Sequence, residues 1–320
     1  MPASTQSSSN STRILVSFLC VYFFWGSTYL AIRYGLDELP PFVIASTRFL
    51  ISGTVLLALC AIRKVRMMPT RREFGVLAII GVLMLGCGNT ALLWSELYLA
   101  TGLSALLIAV IPLFAALIEM FLPNGEGLPA RGWIGITIGF AGLAFLVSPR
   151  LHNSFHGNSR QMIATAIILA GAFCWTAGSI ISRRSTIGIS GFAAAGWQML
   201  FGGIFNTGLM FAWGGYRGSH WNVQAWSSIF YLVIFGSLTG YTAYIYLLNN
   251  VAVSKVTTYA YINPVIAVIL GAIFLHEHFV IVEYIGMASI LLAVFLVTSS
   301  RLKTGELPAE VRDIAVGRKS

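Results

Sequence analysis

The sequence predicts an all-α integral membrane protein whose ten transmembrane helices form two inverted five-helix repeats. Three observations point that way. Of 320 residues, 57% are hydrophobic and only 10% charged, with a mean hydropathy of +0.81. An ordinary soluble domain carries about 25% charged residues, so so few charges imply a lipid bilayer as the surrounding medium. Ten apolar runs follow one another along the chain, and the sequence partly overlies itself when shifted by about 150 residues.

Residues 1–13 are polar and serine-rich, and read as an N-terminal tail. From Ile14 the stretch ILVSFLCVYFFWGSTYLAI is as long as a full span, not the short core of a cleaved signal peptide. A span needs about 20 mostly apolar residues. That length places helices near 14–34, 42–62, 73–98, 104–122 and 130–148 in a first repeat covering 14–150. The second repeat, 151–300, holds 161–182, 192–212, 226–248, 254–275 and 280–299, and residues 301–320 form a polar tail. Cys20, Cys60, Cys87 and Cys174 lie inside apolar runs without C-x-x-C spacing, and read as packing residues.

With the N-terminus inside, fifteen Lys and Arg fall on the inner side, among them Arg63, Lys64, Arg66, Arg71, Arg72, Arg183 and Arg184. Only Arg33, Arg150, Arg160 and Arg217 fall outside, while Arg48 lies within a span. Cytoplasmic loops carry the basic excess, so both termini are expected in the cytoplasm. The compact chain suggests a bacterial inner (plasma) membrane. The net charge of +9 thus reports topology, and its scatter over short loops argues against a nucleic-acid partner.

Under the shift, Trp25 meets Trp175, Arg33 meets Arg183, Leu50 meets Leu200 and Gly53 meets Gly203; with two residues of slippage Pro112 meets Pro264. An odd number of helices per repeat makes the second enter from the opposite side, an architecture of carriers that bind cargo near the midplane. Pro112 and Pro264 fall near the centres of the fourth and ninth spans. Helix breaks there are tolerated where freed carbonyls face protein or a water-filled cavity, so both are candidate gating positions, with a plain packing kink as the alternative.

The stretch WGSTYLAIR (25–33), Pro40-Pro41 and Arg48-Phe49 resembles the opening of the EamA family of the drug/metabolite transporter superfamily. Gly88-Asn89, the central Pro112, YINPV (261–265) and Glu277 follow in the family's order. The resemblance covers roughly residues 14–300. It implies a ten-helix secondary transporter, with many members exporting amino acids and other small metabolites. One departure is LHEHF after the ninth span in place of the usual L-G-E; Gly125-Glu126 keeps that pattern in the first half.

Ionisable groups inside a membrane cost about 2.5–3.5 kcal/mol at the centre on insertion scales. Arg48, about 9 Å inside the outer end of its helix, either snorkels outward, pairs with Glu96, or contacts substrate; its repeat partner is Gln198. Arg48 or Glu96 would then set charge selectivity at the outer mouth. Glu96 is a candidate for a proton or a substrate amine, with an interfacial carboxylate as the plainer reading. Trp25 and Trp175 occupy the middles of the first and sixth spans, away from the interfacial belts where tryptophan usually sits, and are candidate cavity walls. Asn89, Tyr241, Tyr244, Tyr259 and Asn263 would add uncharged hydrogen bonds, although ordinary packing accounts equally well for many tyrosines. The cavity is expected between spans one, three, four, six, eight and nine.

Other classes fit poorly. The only aspartates are Asp37 in a loop and Asp313 in the tail, and no G-x-S-x-G elbow is present, so an enzyme is not expected. No nucleotide-binding loop occurs, His276-Glu277-His278 lacks the H-E-x-x-H spacing, and no cofactor or metal is expected. A channel or structural membrane protein is the rival class, but neither a repeated filter loop nor a ring of like charge is evident.

Overall fold

The computed structural model describes residues 4–122, 130–155, 159–251, 256–277 and 281–306, and among them all regular structure is helical. Helix α1 starts as Ser4–Cys20, passes through wide π-helical turns at Val21–Trp25 and ends as Gly26–Leu36. Pro41–Ile62 is α2. Helix α3 runs Arg71–Gly81, widens over Val82–Gly88 and closes as Asn89–Ser95. Helix α4 is broken into Thr101–Ile108 and Ile111–Phe121. Ala130–Phe155, Ser159–Arg184 and Gly191–Ala212 are α5, α6 and α7. Helix α8 comprises Val223–Tyr231, a wide segment Leu232–Tyr241 and Thr242–Asn250. Tyr259–Phe274 and Ile281–Glu306 are α9 and α10.

Six stretches are long and apolar enough to cross a membrane, lying in α1, α2, α3, α4, α6 and α8, with mean hydropathy from 1.4 to 2.4. The protein is a multi-pass membrane protein. Its exposed surface includes Leu15, Phe23, Phe121, Ile204, Phe211 and Ile234, side chains that lipid solvates and water does not. Trp213, Trp221 and Trp226 are exposed around the turn between α7 and α8, where an aromatic belt would sit.

Local chemistry sets the helix starts. Thr70 and Glu73 form a reciprocal capping box at α3, and the side chains of Ser190 and Asn222 cap α7 and α8 at 3.1 and 2.9 Å. Helix α4 is capped from a distance: Glu277, beyond the end of α9, accepts from the Thr101 N–H at 2.6 Å and the Gly102 N–H at 3.1 Å. A carboxylate suits the orphan amides and positive dipole end of a helix.

The packing is reciprocal. Helix α2 lies along α7 and α5 along α10; α3 packs on α6 as α1 packs on α8, and α4 packs on α9. A Cβ on Gly53 would stand 2.9 Å from the Leu200 nitrogen, and one on Gly203 would stand 2.9 Å from the Leu50 nitrogen. Only glycine lets these backbones approach so closely. Arg33 donates to the Glu96 carbonyl at 3.1 Å, and Arg183 donates to the Leu248 carbonyl at 3.1 Å.

Some boundaries move. The expected division at residue 150 falls inside α5, and α10 continues past residue 301 to Glu306. The ninth helix, expected from 254, has a turn at Thr257–Thr258 ahead of Tyr259–Phe274, and its expected start lies outside the described residues. The expected features at Gly125-Glu126, Lys255, His278 and residues 307–320 lie outside the described residues.

Candidate functional site

A cavity of about 60 Å³ lies where α1, α2, α3, α4, α6, α8 and α9 converge. Its walls include Trp25, Thr28 and Tyr29 from α1, Arg48 and Phe49 from α2, Gly88 and Asn89 from α3, and Ile108 and Ile111 from α4. Trp175, Gly236, Tyr241, Tyr259 and Asn263 close it from α6, α8 and α9. Helix α2 therefore joins the six expected to line it.

The aromatic groups form one connected cluster. Trp25 meets Trp175 edge-to-face with centroids 5.4 Å apart, and also contacts Tyr244 at 4.9 Å and Tyr259 at 5.3 Å. Each such pair is worth about 0.5–1.5 kcal/mol beyond its buried area. Tyr244 stands behind this wall, bound through its hydroxyl to Ser179 at 3.0 Å. Tyr241 donates to the Gln198 side-chain oxygen at 2.7 Å.

The wide turns serve the site directly. They abandon the regular i→i−4 ladder, and π-helical turns often mark functional positions for that reason. Within the one in α8, the Gly236 carbonyl accepts from Trp25 Nε1 at 3.1 Å, and Ser237 Oγ accepts from Arg48 Nε at 2.8 Å. A Cβ on Gly236 would fall 2.6 Å from Arg48 Nη2, so this glycine makes room for the guanidinium.

Arg48 does not snorkel. Its residue is 4% exposed, it faces the cavity, and its Nη1 has no hydrogen-bond partner. Nor does it pair with Glu96, both of whose carboxylate oxygens lack a hydrogen-bond partner. Its flexible stem is held inward, toward the cavity, by Ser237 and the space over Gly236. Glu96 is fully buried at the end of α3, outside the cavity wall. Trp175 Nε1, Asn89 Oδ1 and Asn263 Oδ1 also lack partners. No carboxylate occurs among the described lining residues.

The two prolines differ. Pro112 stands in the first turn of the second piece of α4, where its missing N–H costs nothing, after a turn at Ala109–Val110. Pro264 lies inside α9. Neither lines the cavity, but each adjoins a residue that does, Ile111 and Asn263. Sequence reasoning missed Thr28, Tyr29, Phe49 and Gly236. The first two follow Trp25 at helical i+3 and i+4 spacing, a signal that was available; Gly236 carried none.

The profile of the EamA-like transporter family matches the chain twice, over residues 12–148 and 162–299. The chain is 33% identical over 285 residues to the uncharacterized inner membrane transporter YedA of Escherichia coli K12, covering 88% of this chain and 89% of that protein. It is 24% identical over 291 residues to the uncharacterized transporter YvbV of Bacillus subtilis, covering 90% and 92%. A solved crystal structure superposes with a TM-score of 0.65 at 20% identity, covering 92% of this chain and 99% of the other, a likeness of fold. The chain is a membrane transporter and belongs to the EamA-like transporter family.

Proposed function

We propose that the protein is a ten-helix secondary carrier, built from two inverted five-helix repeats, that moves small organic metabolites by alternating access. Amino acids or related compounds are the cargo class and efflux the direction in this reading, and both rest on the family resemblance alone. The observation that carries the reading is the buried central cavity, whose aromatic walls surround one guanidinium and several unpartnered hydrogen-bonding groups. The lining has the character of a small-ligand site, mostly apolar with a few placed polar groups, and at about 60 Å³ the cavity must widen as the helices move to admit cargo.

The double family match and the reciprocal contacts of Gly53 with Leu200 and Gly203 with Leu50 support the two repeats. In this reading both termini are cytoplasmic, with the basic loops inside. The break in α4 before Pro112 and the proline of α9 let those helices bend as one side seals.

Purified protein in liposomes tests the proposal. A metabolite screen should find saturable flux accelerated by cargo on the opposite face. Single-channel currents without counterflow would replace the carrier with a channel. Accessible-cysteine labelling that found the two halves threading the membrane in the same sense would remove the inverted repeats. In this reading the proton path runs through Glu96, whose buried carboxyl has no hydrogen-bond partner. Flux indifferent both to a pH gradient and to Glu96→Gln would leave a facilitator.

A further inference from the structure

A second pocket, of about 110 Å³, lies at the end of the bundle where α6 finishes and α7 begins. Gln198, Ser182, Ser185 and Asn249 supply its polar walls, and no carboxylate occurs among its described lining residues. Gln198 is fully buried, and its Nε2 has no hydrogen-bond partner. The other end of the same amide accepts from Tyr241, which lines the central cavity. One hydrogen-bonded pair therefore stands between the two spaces.

The pocket also leads outward. Ser185 and Ile187 line both it and a wider surface pocket of about 420 Å³ that carries Arg72 and Arg184. Glu73 is the acid of that outer pocket, and its carboxylate already accepts from the Thr70 and Gly188 N–H groups. The route from surface to centre thus presents two arginines, then an amide donor, then the Arg48 guanidinium. Positive fields along such clefts concentrate anions. Residues 48 and 198 are also repeat-related, so each half offers one unpartnered nitrogen at the same position of its second helix.

We propose that the pocket at Gln198 is an entry subsite for the carboxylate of the cargo, and that the Tyr241–Gln198 hydrogen bond is the partition the cargo opens to reach Arg48. The inference rests on the carrier reading and adds to it a substrate class and a first stop. A single uncompensated guanidinium at the end of the route matches a singly charged anion, hence a carboxylate and not a phosphate dianion. Gln198 Nε2 is the donor that holds the carboxylate in the subsite, and as the partition opens the Tyr241 hydroxyl turns from Gln198 Oε1 to donate to the cargo, so a charge-assisted bond replaces a neutral one while Oε1 gives up its donor.

The test uses the full chain in detergent, with Cys20, Cys60, Cys87 and Cys174 replaced by alanine and Ser185→Cys as reporter. A sulfonate-bearing thiol reagent should label Ser185→Cys faster than a trimethylammonium one. Benzoate should slow that labelling, and its neutral isostere benzamide should not. Gln198→Glu, which keeps the shape but replaces the donor with a repelling oxygen, should weaken benzoate protection by about tenfold or more. Tyr241→Phe should keep that protection while speeding labelling of Asn89→Cys in the central cavity. Equal labelling by both reagents with no benzoate effect would overturn the subsite, as would full protection in Gln198→Glu. Protection by inorganic phosphate but not benzoate would overturn the carboxylate assignment. The benzoate and benzamide contrast needs no change at Gln198, so a poorly folded variant does not shield the proposal. Labelling at equilibrium needs no transport: protection without liposome flux would remove the carrier and keep the subsite, and flux without protection would remove the subsite alone.

Discussion

Gly53 and Gly203 sit in equivalent surroundings, each against the backbone one helix away at the same 2.9 Å, whereas Arg48 and Gln198, five residues earlier on the same two helices, do not. Arg48 faces the central cavity and leaves a guanidinium nitrogen unpaired; Gln198 faces the neighbouring pocket and is tied to Tyr241. The scaffold keeps the symmetry that packing demands and the chemistry departs from it. In the proposed carrier, two similar frames would enclose one charged cavity, so its two sides need not bind cargo alike.

Breaking the frame should have the largest effect. Gly53→Val and Gly203→Val each force a side chain into backbone, and overpacking of this kind costs about 1–3 kcal/mol or more. Both should lower the thermal stability of the detergent-solubilised protein by similar amounts. A large loss in one and none in the other would deny that the contacts are equivalent. The chemistry should respond unequally. Arg48→Gln removes a charge-assisted bond worth about 1.5–3 kcal/mol, so cargo affinity should fall about ten- to a hundredfold in binding assays on folded protein. Arg48→Lys should recover little, because an ammonium lacks the planar fork that serves Ser237 and the cavity together. Smaller still, Trp25→Ala and Trp175→Ala should depress liposome flux while leaving membrane insertion intact. Unchanged flux in both would take the tryptophans out of the site.

Much of the fold was legible because apolar run length reports a span directly, and α2, α6 and α7 fall within two residues of their expected starts. Trp25 and Trp175 were legible too, since a tryptophan at mid-membrane depth lacks the interfacial setting that usually explains it. The wide turns in α1, α3 and α8 were not: an apolar helix carries no composition signal for a change in hydrogen-bond register, although VLMLGCG and LVIFGSLTGY both contain glycine. Arg48 stayed open because a long side chain some turns from the helix end reaches either outward or inward. What decided it was Gly236 on another helix, a tertiary fact. The break in α4 came two residues before Pro112, because proline favours the first turn of a new helix over the interior of an old one.

The smallest expected effect concerns the turn after α9, where the chain departs from the L-G-E of its family. His276 stands at φ 52°, in the left-handed region, where the family's pattern has glycine. A side chain there costs roughly 1–2 kcal/mol, and glycine would return about 0.5–1 kcal/mol of that as added freedom in the unfolded chain. His276→Gly should therefore raise stability by about 0.5–1 kcal/mol, read as a small upward shift in thermal unfolding. Flux should be unchanged, because the function of the turn is to deliver Glu277 to the start of α4, and Thr101 holds that carboxylate through both its N–H and its hydroxyl. A fall in stability instead would mean that the imidazole itself holds the turn. Glu277→Gln then separates the two parts of the motif: it keeps the left-handed residue but surrenders the charge at the helix start, and its cost should exceed the gain from glycine, since carboxylate bonds to backbone amides are roughly twice as strong as neutral ones.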